Sequence, residues 1–255
     1  MDIYKSIHYL IRIFVFWDFH PPSFMALRCK RMKALFVLTS HDQKGNTGKP
    51  TGYYLGEVSH PWKHFLEAGI EIDFVSPKGG EPPVDGYDLK DTINKEFVEN
   101  THYSEKLKKT LSPDQVKPEE YQSIFYAGGH GTMWDFAVNP QLDSIAQKIY
   151  ESGGVVGAVC HGPSGLVNVK LTNGKYLVDG KKVNSFTNEE EEAVGLTEVV
   201  PFLLEDELKK RGAIFQKSGL WKEHVEVDDR LVTGQNPQSA SKVGEEMVKL
   251  LKSMF

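Results

Sequence analysis

Apolar residues in this chain come in short runs set between polar and glycine-rich stretches. Residues 33–40 (Lys-Ala-Leu-Phe-Val-Leu-Thr-Ser) start polar, turn apolar and end in turn formers, as a strand buried on both faces does. Residues 70–76, 123–127, 154–159 and 231–233 read as further strands. Between these runs, residues 58–68, 140–152, 201–211 and 239–252 space their apolar positions at the helical period, the first stopped by Gly69 and the third by Gly212. Residues 163–167 read as a short helix opened by Pro163. The alternation predicts an α/β fold: a single flavodoxin-like three-layer sandwich, with helices on both faces of a mostly parallel central sheet. Two segments depart from it. Residues 77–120 are polar, with Gly79-Gly80, Pro82-Pro83 and Lys/Glu-rich helical pieces, and a stretch this long predicts a small lid, cap or binding insertion. Residues 175–185 predict a hairpin around Asp179-Gly180.

The regular pattern begins at Met32, which divides the chain into an extension over 1–31 and an α/β domain over 32–255. The apolar stretch at 10–17 is interrupted by Arg12 and closed by Asp18, short of the roughly 20 residues a bilayer crossing needs. It also lacks the small-residue cleavage site of a secretory signal. We read it as an extension outside the fold, with Met25 and Met32 as internal start candidates; a targeting segment and a packed arm are the alternatives. The chain carries 30 Lys+Arg against 35 Asp+Glu, a net charge of −5, so no basic stripe is available to neutralise a nucleic-acid backbone. Its two cysteines, Cys29 and Cys160, exclude a disulfide scaffold and suggest a reducing, cytoplasmic setting. In such a setting a lone thiol is core filler or a nucleophile.

The surroundings of Cys160 favour the second role. In 153–163 (Gly-Gly-Val-Val-Gly-Ala-Val-Cys-His-Gly-Pro) an apolar strand runs into Cys160, and a helix opens at Pro163. A nucleophile at a sharp strand-to-helix turn is the arrangement of the α/β-hydrolase elbow. Backbone amides and the positive helix end predict a thiol pKa below the free value of about 8.5. His161 follows directly and can act as general base or proton shuttle. A second glycine turn, Ala127-Gly128-Gly129-His130-Gly131, also follows a strand, and its amides with the His161 N–H would suit an oxyanion hole. It lacks the spacing of a dinucleotide loop and the Lys-Ser/Thr of a P-loop. His130 is read as bracing that loop. His60, His64 and His102 do not form a metal pattern, because no His-Glu-x-x-His spacing is present and Pro61 is read as opening the helix.

The segments Gly-Ala-Val-Cys-His-Gly-Pro, Ala-Gly-Gly-His-Gly-Thr and Leu231-Val-Thr-Gly-Gln-Asn-Pro237 resemble the ThiJ/PfpI superfamily, of class I glutamine-amidotransferase-like fold. Gly56-Glu57, Ser59-His60-Pro61, the 77–120 insertion and Phe186-Thr-Asn-Glu-Glu-Glu191 resemble its heat-shock-protein-31-like branch. That branch comprises glutathione-independent glyoxalases (D-lactate dehydratases), also described as holding chaperones and deglycases. The resemblance covers residues 32–255. It implies a triad of Cys160, His161 and an acid within the run 189–192, where family spacing favours Glu191, the other residues of the run being read as a solvated face. It also implies that Glu57 hydrogen-bonds the Cys160 sulfur; a glutamate buried there should have a raised pKa.

The activity so implied is conversion of methylglyoxal to D-lactate, a lyase-type glyoxalase III reaction without glutathione, metal or other cofactor. Cys160 attacks the aldehyde to give a thiohemiacetal, and the amides of Gly129 and His161 hold the oxyanion. His161 or Glu57 removes the carbon-bound proton, the enediol is reprotonated at the neighbouring carbon, and water releases lactate. Glu191 orients His161. The alternatives are a Cys-dependent amidohydrolase, peptidase or deglycase, and a stress-induced chaperone binding unfolded clients around 77–120. A glutaminase subunit is a further alternative, since His224-Val-Glu226 has that spacing. A homodimer is implied by the resemblance alone.

Overall fold

The computed structural model describes residues 32–254; the readings placed on residues 1–31, including Cys29 and Met25, lie outside the described residues. Four strands predicted from apolar runs, β1 (Lys33–Val37), β3 (Glu71–Val75), β5 (Ser123–Tyr126) and β6 (Val155–Val159), pair in parallel. β10 (Leu231–Gly234) extends the sheet in parallel beside β6, and β9 (Val225–Asp228) closes the edge antiparallel to it. β9 is not evident in the sequence, because an edge strand with one solvated face keeps its charged residues. The order is β3-β1-β5-β6-β10-β9, and β1 is where it reverses direction. In open sheets of this kind the crevice at the carboxyl ends of the strands beside such a reversal is the usual ligand site.

Period-2 alternation splits the core into two layers. Leu35, Val37, Ile124, Tyr126, Val156 and Ala158 face α5 (Pro140–Glu151). Ala34, Phe36, Phe74, Phe125 and Val159 face α1 (Leu55–Glu67) and α8 (Ala240–Met254). α1 begins three residues before the predicted start, which puts Pro61 inside the helix rather than at its opening. Proline there removes the N–H that would have bonded the Glu57 carbonyl, so the turn carrying Glu57 is set by packing against neighbours instead of by its own ladder.

The 77–120 segment holds β4 (Val84–Asp85), which pairs with β2 (Tyr53–Tyr54), and two helices, α2 (Thr92–Glu99) and α3 (Thr101–Leu107). Asp91 and Asn100 cap these helices by accepting from backbone N–H groups at their starts. Phe97 and Tyr103 dock edge-on against Trp62, at 5.2 and 5.7 Å between centroids, so the segment caps the sheet edge and flanks α1. The expected hairpin around Asp179-Gly180 is not formed. β7 (Lys182–Val183) instead pairs in parallel with β8 (Ile214–Phe215), and the antiparallel bridge lies earlier, between Lys170 and Tyr176. The Gly180 turn is real, with φ of 75°, but its downstream arm finds a better partner in the distant strand. Three further helices complete the chain: α4 (Thr132–Asp135), α6 (Asn188–Ala193) and α7 (Leu204–Lys210). No helix among the described residues is long and apolar enough to cross a membrane.

Candidate active site

β6 ends at Val159, and the chain turns at once into a short 3₁₀ helix at Gly162–Leu166. Cys160 sits between them with φ of 59°, a left-handed conformation that costs a non-glycine residue about 1–3 kcal/mol. Tethers hold it there: the Cys160 N–H donates to the Gly234 carbonyl at 2.9 Å, and the Cys160 carbonyl accepts from Phe186 N–H at 2.8 Å. Thr132 Oγ1 donates to the His161 carbonyl at 3.0 Å. A Cβ at Gly162 would collide with the Tyr126 carbonyl, so the strand-to-helix turn closes this tightly only with glycine.

The strain brings Cys160 and its neighbour to one cleft of about 430 Å³, which Glu57, Gly129, His130, Cys160, His161 and Trp221 help to line. Cys160 Sγ lies 3.4 Å from His161 Nδ1, and the opposite ring nitrogen, Nε2, lies 2.7 Å from Glu191 Oε2. His161 and Glu191 are both buried. The acidic run resolves by helix geometry. Thr187 accepts from the Glu190 N–H and starts α6, whose turns bring Glu190 and Glu191 inward and leave Glu189 and Glu192 exposed. Two of the four glutamates are therefore buried, where one was expected. Glu190 is a structural hub: its carboxylate accepts from Gln235 Nε2, Asn236 Nδ2, Thr187 N–H and Trp221 N–H. Trp221, at φ of 58°, forms a wall of the cleft through that bond. Replacing Glu190 with Ala strands these donors, and we expect a loss of roughly 3 kcal/mol in urea unfolding. KM should rise through a displaced Trp221, while kcat should change less than in a Glu191 variant.

Glu57 enters from the first turn of α1, fully buried, its carboxyl against the Cys160 thiol and the Gly128 amide. Neither of its oxygens finds a partner at good hydrogen-bond geometry. A Cβ at Gly128 would occupy the place of Glu57 Oε2. Burial raises the Glu57 pKa to about 8, so the acid is protonated at neutral pH, as expected from the sequence. The expectation for Cys160 is reversed. Burial pushes the thiol well up, not down, and the Glu57 carboxylate adds to this once it ionises. The elbow helix is a five-residue 3₁₀ segment, too short to oppose desolvation at a site this enclosed. Glu191 runs the other way. Burial alone would lift it, but His161 and His130 hold it down to about 2.

His130 does more than brace its loop. Its Nε2 lies 3.0 Å from Glu191 Oε1, its ring centre is 4.1 Å from that of His161, and burial lowers its pKa to about 4. His130, His161 and Glu191 are the side chains here with the donor chemistry to hold a metal. His60, His64 and His102 lie apart, on Asp91, Ser241 and Glu71 respectively. His224 and Glu226 pair with each other at 2.8 Å, away from the residues lining the cleft. From the 77–120 segment only Asp85 lines it. The Trp221 wall and the His130 contact were not read from the sequence. The glycine turn around His130 was a signal for the latter; for Trp221 nothing local pointed to the cleft.

Comparison with known proteins follows the same lines. The chain is 35% identical over 239 residues to the glutathione-independent glyoxalase HSP31 of Saccharomyces cerevisiae, covering 87% of this chain and 98% of that one. It is 33% identical over 229 residues to glyoxalase 3 of Candida albicans, covering 85% and 97%. The crystal structure of Candida albicans glyoxalase III superposes with a TM-score of 0.79 at 32% identity, over 86% of this chain and 97% of that one. The 24 kDa rapid encystment protein of Francisella tularensis gives 0.83 at 41% identity, over 86% and 99%. The DJ-1/PfpI family model matches residues 51–250, a span running from the loop before Glu57 through the elbow and the acidic helix into α8, and the chain belongs to the DJ-1/PfpI family.

Proposed function

We propose that the protein is a glutathione-independent glyoxalase that converts methylglyoxal and related small 2-oxoaldehydes to 2-hydroxy acids, as a lyase-type D-lactate dehydratase. The observation that carries this reading is the fully buried Glu57 carboxyl against the Cys160 sulfur, where burial raises its pKa to about 8, beside the Cys160–His161–Glu191 chain. A thiol amidohydrolase needs the nucleophile, the base and an oxyanion hole. It has no use for a second, neutral carboxyl buried at the sulfur. An isomerisation between adjacent carbons does, because a proton must leave one carbon while another reaches the neighbouring oxygen.

The chemistry follows from the positions. Sγ attacks the aldehyde carbon as its proton passes to His161 Nδ1, and His161 hands that proton to the aldehyde oxygen, giving the thiohemiacetal and a neutral ring. The N–H groups of Gly129 and His161 hold the developing oxyanion. His161 then takes the carbon-bound proton, and Glu57 donates its own to the neighbouring carbonyl oxygen, giving an enediol. His161 returns its proton to that second carbon while the hydroxyl on the first carbon gives its proton back to Glu57, which yields a thioester that water hydrolyses to the hydroxy acid and free thiol. Glu191 keeps His161 oriented and balances its charge.

The test is a steady-state assay on methylglyoxal without glutathione and with chelator present. Product is read by D- and L-lactate-specific dehydrogenases, and D-lactate is the expected product. Product that appears only with glutathione, or none above the uncatalysed rate, would overturn the reading.

A further inference from the structure

Glu191 is gripped by two imidazoles, and the chemistry above uses one. Oε2 lies 2.7 Å from His161 Nε2, and Oε1 lies 3.0 Å from His130 Nε2. Among the described residues this is the one cluster of three His, Cys, Asp or Glu side chains suited to a metal, with donor atoms all within 4.8 Å of one another. We propose that His130, His161 and Glu191 form a binding site for a zinc ion, with Cys160 outside the ligand set, and that occupancy of this site switches the enzyme off.

Two imidazoles and a carboxylate are a donor set zinc uses when its fourth position stays open. Three donors at about 2.1 Å around a tetrahedral ion lie roughly 3.4 Å apart. Each imidazole here faces its own carboxylate oxygen, at 3.0 and 2.7 Å, and one donor atom from each of the three residues already falls within 4.8 Å of the others, so small side-chain shifts close the set around one ion. The adjustment falls on His130, whose side chain is 16% exposed at the cleft wall, while His161 and Glu191 are 1% and 5% exposed. His130 and His161 both line the cleft, which gives an ion its route to the three donors.

Charge favours the same site. Among the described residues Glu191 has no Lys or Arg as ion-pair partner, only the two imidazoles. Other histidine–carboxylate contacts are poorer hosts. His60–Asp91 and His224–Glu226 offer two donors each, and Glu71 beside His102 is already paired with Lys106.

Cys160 is excluded by ring geometry. Its sulfur faces Nδ1 of His161, whereas the ion would sit at Nε2, on the far side of the ring. With Nε2 bound to the ion, the proton of the neutral ring resides on Nδ1. Nδ1 then faces the thiol as a donor and cannot take its proton. This inhibitory consequence rests on the glyoxalase reading; the binding site does not.

The test measures zinc binding by titration calorimetry on the full chain, its Cys160→Ala variant and its His130→Gln variant, with thermal melting to confirm folding. Glutamine at 130 keeps a hydrogen-bond donor for Glu191 while removing the imidazole ligand. One equivalent should bind the wild type and Cys160→Ala with Kd values within about threefold, and His130→Gln should weaken it by about 100-fold or more. Cobalt in place of zinc should give a visible tetrahedral spectrum without thiolate charge-transfer absorption. In the lactate assay without chelator, zinc should abolish wild-type turnover, chelator should restore it, and the residual activity of His130→Gln should resist zinc. No stoichiometric binding, binding lost in Cys160→Ala, a thiolate band, or binding unchanged in His130→Gln would each overturn the site. If the protein makes no lactate at all, the glyoxalase reading fails and the calorimetry still decides the site.

Discussion

Cys160→Ala is expected to lower kcat/KM for methylglyoxal by at least about 10⁴-fold, roughly 5.5 kcal/mol of lost transition-state stabilisation. The thiol is the nucleophile in the cleft that has a base beside it: His161, 3.4 Å away, can take its proton as the sulfur bonds to the aldehyde carbon. Without it the remaining residues can still bind the substrate, so KM should move less than kcat. Stability should hold or rise. Alanine removes one buried sulfur but not the backbone tethers, and it eases the contact of Cys160 with Glu57. A variant that folds normally and still makes lactate at the wild-type rate would sink the covalent mechanism; a variant that fails to fold would show that the elbow needs the sulfur for packing.

Glu57→Gln carries the second large effect, and it has two parts. Activity should fall by about 10²–10³-fold, the usual worth of a positioned general acid. The stability effect follows from the raised pKa. An unfolded glutamate titrates near 4.5 and the folded one near 8. Between those values the unfolded chain releases a proton that the folded chain keeps. Wild-type stability should therefore fall as pH rises from about 4.5 to about 8, by an amount on the order of 5 kcal/mol, and level off above. Glutamine has the same shape and no titration, so its unfolding free energy should lack that slope and exceed the wild type at alkaline pH. The wild-type pH–rate profile should also decline near pH 8, where Glu57 ionises, and the variant should lose that limb. Urea unfolding across pH, with kcat measured alongside, separates the two parts. A variant with the wild-type pH slope would place the burial of Glu57 in doubt, and one with unchanged kcat would remove it from the chemistry.

These two residues also show what could be read before the fold was known. Both were identifiable: Cys160 by the apolar run and glycines that make an elbow, Glu57 by its place in a motif resembling one branch of the superfamily. Their ionisation was only half legible. A raised Glu57 follows from burial next to a sulfur, but the position of Cys160 at a strand-to-helix turn argued for a depressed thiol. The enclosure around it and the acid beside it reverse that direction. Local geometry announces which amides are near, not how much water is gone.

The acidic run makes the same point. In the run of four glutamates only the spacing of the resembled family favoured Glu191; periodicity could not choose, because successive helix positions differ by about 100° and the pattern did not say which way the helix faces. Packing of α6 turned Glu191 to the histidines and Glu190 to the Gln235–Asn236–Trp221 cluster. The predicted hairpin failed for a related reason. A turn signal at Asp179-Gly180 is local, but the partner that Lys182–Val183 chose lies at Ile214–Phe215, brought there by the rest of the fold.

What the sequence determined by itself is the layered α/β plan and the elbow, because apolar periodicity and glycine placement are short-range properties of the chain. The tertiary structure alone decided that His130 shares Glu191 with His161, that Trp221 walls the cleft, and that the thiol rests protonated. Each of these depends on groups far apart in the chain meeting at the carboxyl ends of the strands, where desolvation and proximity set the chemistry.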